Sequence, residues 1–228
     1  PRNYLFKHYF NVVKAVKPKA FVIENVKGIM TMQDGKIFNE ILRIFSDPDM
    51  LDGEPYEIHY KVVKAVDFGV PQKRERIIIV GFKDNVLFSF PDPVPVSKRK
   101  KLTDILEQDV SDKYYVRDEI KESRLMRLKD PNYPKPYISH ENMAGSITPH
   151  PYSSCLRAGA SANYILINDE RRPTEREMLR LQGFPDDFKI VVSYGHIKHQ
   201  TGNSVAVPVI AAVAKQMIKA LTEFENTK

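Results

Sequence analysis

Glu24 and Asn25 close a short apolar run, Ala20-Phe21-Val22-Ile23, in a chain of 228 residues. A carboxylate at the end of a buried strand sits where water is restricted. Its pKa is expected to rise, which suits a hydrogen-bond donor or general acid near neutrality. The other reading is a glutamate that caps the next loop or pairs with a lysine. Gln72-Lys73-Arg74-Glu75-Arg76 is a dense polar string ahead of a very apolar one, Ile77-Ile78-Ile79-Val80. Alternation would put Gln72, Arg74 and Arg76 on one face and Lys73 and Glu75 on the other. Arginine is the natural fork donor for a carbonyl or phosphate oxygen. A solvated rim of charge at a strand start is the alternative. Gly202-Asn203-Ser204 precedes the last apolar segment, so Asn203 or Ser204 is expected at a helix amino end, where unpaired N–H groups favour anions. Ordinary capping is the plainer reading there. The only cysteine, Cys155, and six dispersed histidines offer no zinc spacing, so no metal site is expected.

These residues need elements to position them. Leu5, Phe6, Tyr9, Phe10, Val12, Val13 and Val16 recur at helical spacing, and Pro18 ends that helix. The run 20–23 reads as a buried parallel strand with a site residue beyond its carboxyl end. A helix is expected over 36–45, a polar loop over 46–55, and strands over 56–66 and 77–81. Composition changes near Phe90, where Pro91-Asp92-Pro93-Val94-Pro95 can be neither helix nor central strand and Lys98-Arg99-Lys100-Lys101 follows. That places a domain boundary. Helices are expected over 102–106 and 118–128, and irregular β and loop over 131–168. A further helix should start near Pro173 with proline in its first turn and end at Gly183. The last helix, 205–224, should turn Val209, Val213, Met217 and Leu221 inward. The division expected is 1–90, 91–170 and 171–228.

Composition excludes little but sets limits. Apolar residues make up 42% and charged residues 28%, as in ordinary globular proteins. A net charge of +6 and a pI of about 9.2 bias the chain toward polyanions. No apolar run approaches the roughly 20 residues needed to span a bilayer, so no membrane partner is expected. A single cysteine rules out disulfides within the chain and points to a reducing compartment.

Taken together and in order, the strings resemble the DNA (cytosine-5)-methyltransferase family. Pro18-Lys19-Ala20-Phe21-Val22-Ile23-Glu24-Asn25-Val26 resembles its Glu-Asn-Val motif with the preceding strand. Asp67-Phe68-Gly69-Val70-Pro71-Gln72-Lys73-Arg74-Glu75-Arg76 resembles its Gln-Arg-Arg motif. Arg172-Pro173-Thr174-Glu175-Arg176-Glu177, continuing to Leu181-Gln182-Gly183-Phe184-Pro185, resembles the penultimate motif. Gly202-Asn203-Ser204-Val205-Ala206-Val207-Pro208 resembles the last. Pro1-Arg2-Asn3-Tyr4-Leu5-Phe6 is similar to the tail of the motif after the catalytic loop. The likeness covers nearly the whole chain except about 82–147.

The resemblance implies an α/β fold: the carboxy-terminal part of a Rossmann-like methyltransferase sheet plus a small irregular α+β target-recognition domain within about 82–167. It implies methyl transfer from S-adenosylmethionine to carbon 5 of a cytosine flipped out of duplex DNA, in a restriction-modification setting and a cytoplasmic, nucleoid-associated location. Glu24 would protonate or hydrogen-bond ring nitrogen 3 and read the exocyclic amine. Arg76 would hold carbonyl oxygen 2, and Arg74 would act beside it in the catalytic site. Gln72, like Arg74, would support the site or touch the DNA backbone, and Asn25 would touch substrate or DNA. Asn203, Ser204 and Val205 would complete the cofactor pocket. Ser154, Cys155 and Arg157 lie in Ser153-Ser154-Cys155-Leu156-Arg157-Ala158-Gly159, which resembles the segment near the flipped base's phosphates; Cys155 stands at a threonine-like position and is not the nucleophile. Arg176 would be structural. Lys98 to Lys101 would touch phosphate or form a solvated linker. The family's glycine-rich cofactor loop and Pro-Cys-Gln loop are absent from these residues. The cofactor pocket is therefore expected to be incomplete here, and the partner is an amino-terminal half carried by the same parent chain or a separate subunit. A non-catalytic DNA-specificity subunit and a relative acting on tRNA are the other readings.

Overall fold

The computed structural model describes residues 5–227. In chain order the elements are α1 (Leu5–Val16), β1 (Ala20–Val26), α2 (Lys36–Ser46), β2 (Glu57–Lys64), β3 (Gln72–Lys73), β4 (Glu75–Phe82), α3 (Asp118–Arg127), β5 (Ile138–Glu141), β6 (Ile147–His150), β7 (Ser153–Ser154), β8 (Ile165–Ile167), α4 (Glu175–Leu181), α5 (Tyr194–Asn203) and α6 (Val207–Glu225). They fall into two compact units. The first takes the described residues of Pro1–Val63, Glu75–Asp92 and Ala212–Lys228; the second takes Lys64–Arg74 and Pro93–Ala211. Of the string Pro1-Arg2-Asn3-Tyr4-Leu5-Phe6, only Leu5 and Phe6 are among the described residues.

In the first unit β4 lies between β1 and β2. Residues 77–82 of β4 are buried throughout, and this is why they read as an unbroken apolar string. Ile77 and Ile79 face a core with Phe10, Val13, Phe21, Ile41 and Phe45, supplied by α1, β1 and α2. The Phe21 and Phe45 rings meet at 4.7 Å between centroids. On another side, Phe82, Phe88 and Phe90 form a chain of rings 5.2 and 5.1 Å apart. β1 corrects one expectation: it pairs antiparallel to β4, with Val22 opposite Val80 and Val26 opposite Arg76. An apolar run reports burial and carries no information about the direction of the neighbouring strand.

The second unit holds two small sheets, a β3–β7 pair and a three-stranded sheet in the order β6-β5-β8. Its core gathers Leu102, Ile105, Ile138, Leu156, Ile165 and Ile167 with Met178, Leu181 and Ile197 from α4 and α5. That packing groups 171–211 with the second unit, whereas the sequence reading returned this stretch to the first. The chain passes from one unit to the other between Asp92 and Pro93, inside the proline-rich stretch. Arg124 of α3 is buried and saturated: it donates to Asp169 at 2.8 Å, Glu141 at 3.1 Å, the Asn163 carbonyl at 3.0 Å and Ser139 at 2.7 Å. A buried charge so fully bonded avoids the penalty of an unpaired one.

Four further expectations change. Residues 102–104 form only a 3₁₀ turn. Pro173 lies ahead of α4, whose N-cap is Thr174. The polar segment 194–203 is a helix, α5, that no apolar periodicity announced. Finally, the stretch Tyr194–Glu225 contains an 18-residue window of mean hydropathy 1.5, apolar enough by length and composition to cross a membrane. The core helix of a globular protein passes the same test, and Val209, Val213 and Ala220 of this stretch are buried.

Candidate functional site

In the first unit, antiparallel register builds a charged pair. Val26 stands opposite Arg76, and Glu24 is two residues back on the same face, so Glu24 and Arg76 meet diagonally. Arg76 Nε lies 2.9 Å from Glu24 Oε1, with side chains 17% and 24% exposed. The contact is an ion pair more than an aligned hydrogen bond, and Arg76 also donates to the Glu75 carbonyl at 2.8 Å. Beside it, Lys27 reaches Glu75 at 3.3 Å. Asn25 is on the opposite face of β1. Its side-chain oxygen accepts the Val26 N–H at 2.8 Å, and it lines a cavity of about 310 Å³ with Phe6, Ile29, Met32 and Ile37.

In the second unit, three separated strings converge on two side chains. Gln72 is fully buried. Its amide donates to the Leu181 carbonyl at 2.8 Å and accepts the Leu156 N–H at 3.1 Å. A side chain so enclosed cannot touch the DNA backbone, so of the two roles expected for Gln72 the contact with DNA is corrected and the supporting one remains. Arg74 is 4% exposed. It donates to the Leu156 carbonyl at 3.2 Å, to Cys155 Sγ at 3.2 Å, and to the carbonyls of Gly202 at 3.3 Å and Ser204 at 2.6 Å. The last two are orphan acceptors at the carboxyl end of α5, where a cation also suits the helix dipole. Arg74 therefore has its fork committed to the protein itself. Gly202 approaches the loop so closely that an added Cβ would lie 2.2 Å from the Ala158 nitrogen. Alternation holds for Gln72 and Arg74 buried against an exposed Lys73.

Asn203 and Ser204 end α5 instead of starting α6. They therefore present no helix amino end, and an anion site of that kind is not built here. The exposed Asn203 amide lies 3.3 Å from His199 Nδ1, and the Ser204 hydroxyl donates to the Thr201 carbonyl at 3.1 Å. The solvent-facing Asn203 amide and the half-buried Val205 side chain beside it have the mixed character needed for a ligand with polar and apolar parts. Cys155 is half-buried, and the Ser154 hydroxyl is buried with no bond inside the described residues. Arg157 is exposed, with its guanidinium 5.0 Å over the Tyr164 ring. Arg176 donates to the Phe188 carbonyl at 2.9 Å. Arg99 is held by Asp67 at 2.8 Å, while Lys98, Lys100 and Lys101 remain exposed.

The sequence reading passed over Glu177. Its carboxylate is fully buried, takes both Arg171 nitrogens at 2.8 and 2.7 Å, and accepts the N–H groups of Thr174 and Glu107 at 2.8 and 2.9 Å. The signal was present: Thr174 followed three residues later by Glu177 is a capping box.

A sequence description of C-5 cytosine-specific DNA methylases matches residues 1–219. This chain belongs to that family. Among relatives, the chain is 45% identical over 216 residues to the type II methyltransferase M.NgoBI of Neisseria gonorrhoeae and 46% identical over 223 residues to M.HaeII of Haemophilus aegyptius. Those alignments cover 94% and 96% of this chain, and the chain spans 65% and 67% of the relatives' lengths. A solved methyltransferase of Entamoeba histolytica superposes over 97% of this chain and 70% of its own, with a TM-score of 0.65 at 18% identity, a likeness of fold. In this methylase chain the Glu-Asn-Val string thus lies on a strand antiparallel to the one that opens with Glu75 and Arg76, while Gln72 and Arg74 serve the second unit.

Proposed function

We propose that this methylase chain is the carboxy-terminal portion of a DNA cytosine-5 methyltransferase and acts on a flipped cytosine in duplex DNA together with an amino-terminal half. The observation that carries this is the Glu24–Arg76 pair, 2.9 Å apart on neighbouring strands and neither buried completely. A carboxyl group and a guanidinium held side by side match the polar edge of cytosine. Glu24 would hydrogen-bond ring nitrogen 3 and the exocyclic amine, withdrawing electron density so that carbon 6 accepts a thiolate from the other half. Arg76 would donate to carbonyl oxygen 2 and stabilise charge as the adduct forms. Reading that edge repays the few kcal/mol that flipping costs. Gln72 and Arg74 act as positioning residues. Asn203 and Val205 would contribute to the pocket for S-adenosylmethionine, which supplies the methyl group when bound.

The test is transfer of labelled methyl groups to mixed-sequence duplex DNA by the chain alone and with a supplied amino-terminal half carrying Pro-Cys-Gln. Activity is expected only in the mixture. Glu24→Gln, which keeps the shape but removes the acid, should lower it by about 100-fold or more. An inactive mixture that still binds DNA would instead support a non-catalytic specificity module.

A further inference from the structure

Strand register in the second unit sorts the polar side chains of one sheet into two opposite sets. Across β8, β5 and β6 run the rows Ile167–Ile138–His150 and Ile165–His140–Thr148. These six share a face. Its β8 side is buried in the core, and its β6 side turns from apolar to polar, with His140, Thr148 and His150 half-buried. On the other face, Ser139 and Glu141 are consumed by the protein: Ser139 bonds Asp169 at 2.5 Å and Arg124 at 2.7 Å, and Glu141 pairs with Arg127 at 2.5 Å. On the first face no hydrogen bond forms to the side chains of His140, Thr148 or His150 among the described residues. The donors and acceptors left unspent by this sheet are therefore gathered on one side.

The unspent groups are also held in place. The His150 ring stacks on Tyr152 at 5.2 Å with 7° between planes. The His140 ring stands edge-on to Tyr164 at 6.5 Å. Arg157 lies over the same Tyr164 ring, whose hydroxyl accepts the Arg157 N–H at 3.0 Å. Lys73 follows from the β3–β7 pairing, which sets it beside Ser154. Burial, together with the charges of Lys73 near His150 and of Arg157 near His140, keeps both imidazoles below their ordinary pKa. A neutral imidazole offers one donor and one acceptor, the pattern presented by base edges, whereas cations suit phosphates.

We propose that His140, Thr148 and His150 read base edges of duplex DNA from this sheet face, while Lys73 and Arg157 hold the phosphates beside them. The proposal rests on the DNA reading above and gives it named specificity residues. Alternating polar side chains on an edge strand and its neighbour can reach several successive base pairs in a major groove, which admits a two-stranded ribbon. The rings of Tyr152 and Tyr164 act as positioning groups, since they fix the imidazoles without spending their nitrogens.

The experiment is selection of bound sites from a randomised duplex pool by the chain, followed by affinity measurements over a salt series. Wild type should enrich a defined site. His150→Gln and His140→Gln should each relax preference at one or two positions by about 10-fold, with little change for random duplex. Thr148→Val, nearly isosteric, should do the same at a neighbouring position. Lys73→Ala should weaken all duplexes alike and reduce the salt slope by about 1. An unchanged selected site in His140→Gln and His150→Gln, each with a wild-type melting temperature, overturns the proposal. The selection is run on the chain alone and with the supplied amino-terminal half; if wild type binds no duplex in either form, the DNA reading itself falls, a distinguishable result. Because His150 lies on an edge strand, its variant keeps the test decisive should His140→Gln fail to fold.

Discussion

Arg74 uses its planar fork on four acceptors at once, and no other side chain reproduces that geometry. Arg74→Lys keeps the charge but offers only a point donor on a flexible stem. It should strand at least one buried carbonyl and destabilise by about 2–4 kcal/mol, read from urea unfolding at constant m-value. Glu177 is the more severe case. Glu177→Ala leaves the Arg171 guanidinium, 7% exposed, without its partner. Removing one member of a buried pair costs about 3–5 kcal/mol, and in a chain of this size each kcal/mol lowers the melting temperature by roughly 2–4 °C. A fall on the order of 10 °C in calorimetry is expected, and a change below about 2 °C would contradict the burial argument.

At the scale of elements, the β5–β6 pair should be acid-sensitive. His140 and His150 have folded pKa values below the unfolded one of about 6.5. Their contribution to stability is therefore fully present above about pH 6.5 and is lost as pH falls through the lower folded values. The charges bearing on His140 are Arg157, His150 and Arg124, with Glu141 opposing; Lys73 bears on His150. Between pH 7 and 5, wild type should lose more melting temperature than the double variant His140→Gln/His150→Gln; parallel curves would remove the effect. Much of this architecture was legible in the sequence, and the reason differs by element. α1 and α2 announce themselves because one face packs on the core, and residues 77–82 because they are buried on every side. α5 escaped because its buried residues are only Ile197 and Thr201. The direction of β1 escaped because apolarity is blind to it. The Glu24–Arg76 contact depends on a diagonal register that no local pattern encodes. The burial of Gln72 and Arg74 depends on segments far away in the chain, at 155–156, at the end of α4 (181–182) and at the end of α5 (202–204).

For the molecule as a whole, one exposed surface bears on how the isolated chain behaves. Leu5, Val12 and Val16 of α1 are 63%, 57% and 67% exposed, with Tyr9 at 36%, and their spacing sets them on one face. Contiguous apolar surface of this kind marks an interaction site or a liability to aggregate. Val12→Lys with Val16→Glu should lower apolar-dye binding and light scattering of the isolated chain while moving its melting temperature little; unchanged scattering would show that this face is not responsible. The Arg74 fork carries a different implication, one about descent. It grips backbone oxygens and a sulfur, and most of what it holds does not depend on the side chains of those segments, Gly202 excepted, where a Cβ would meet Ala158. Neighbouring segments can therefore be rewritten by mutation or exchanged between relatives while the anchor stays the same.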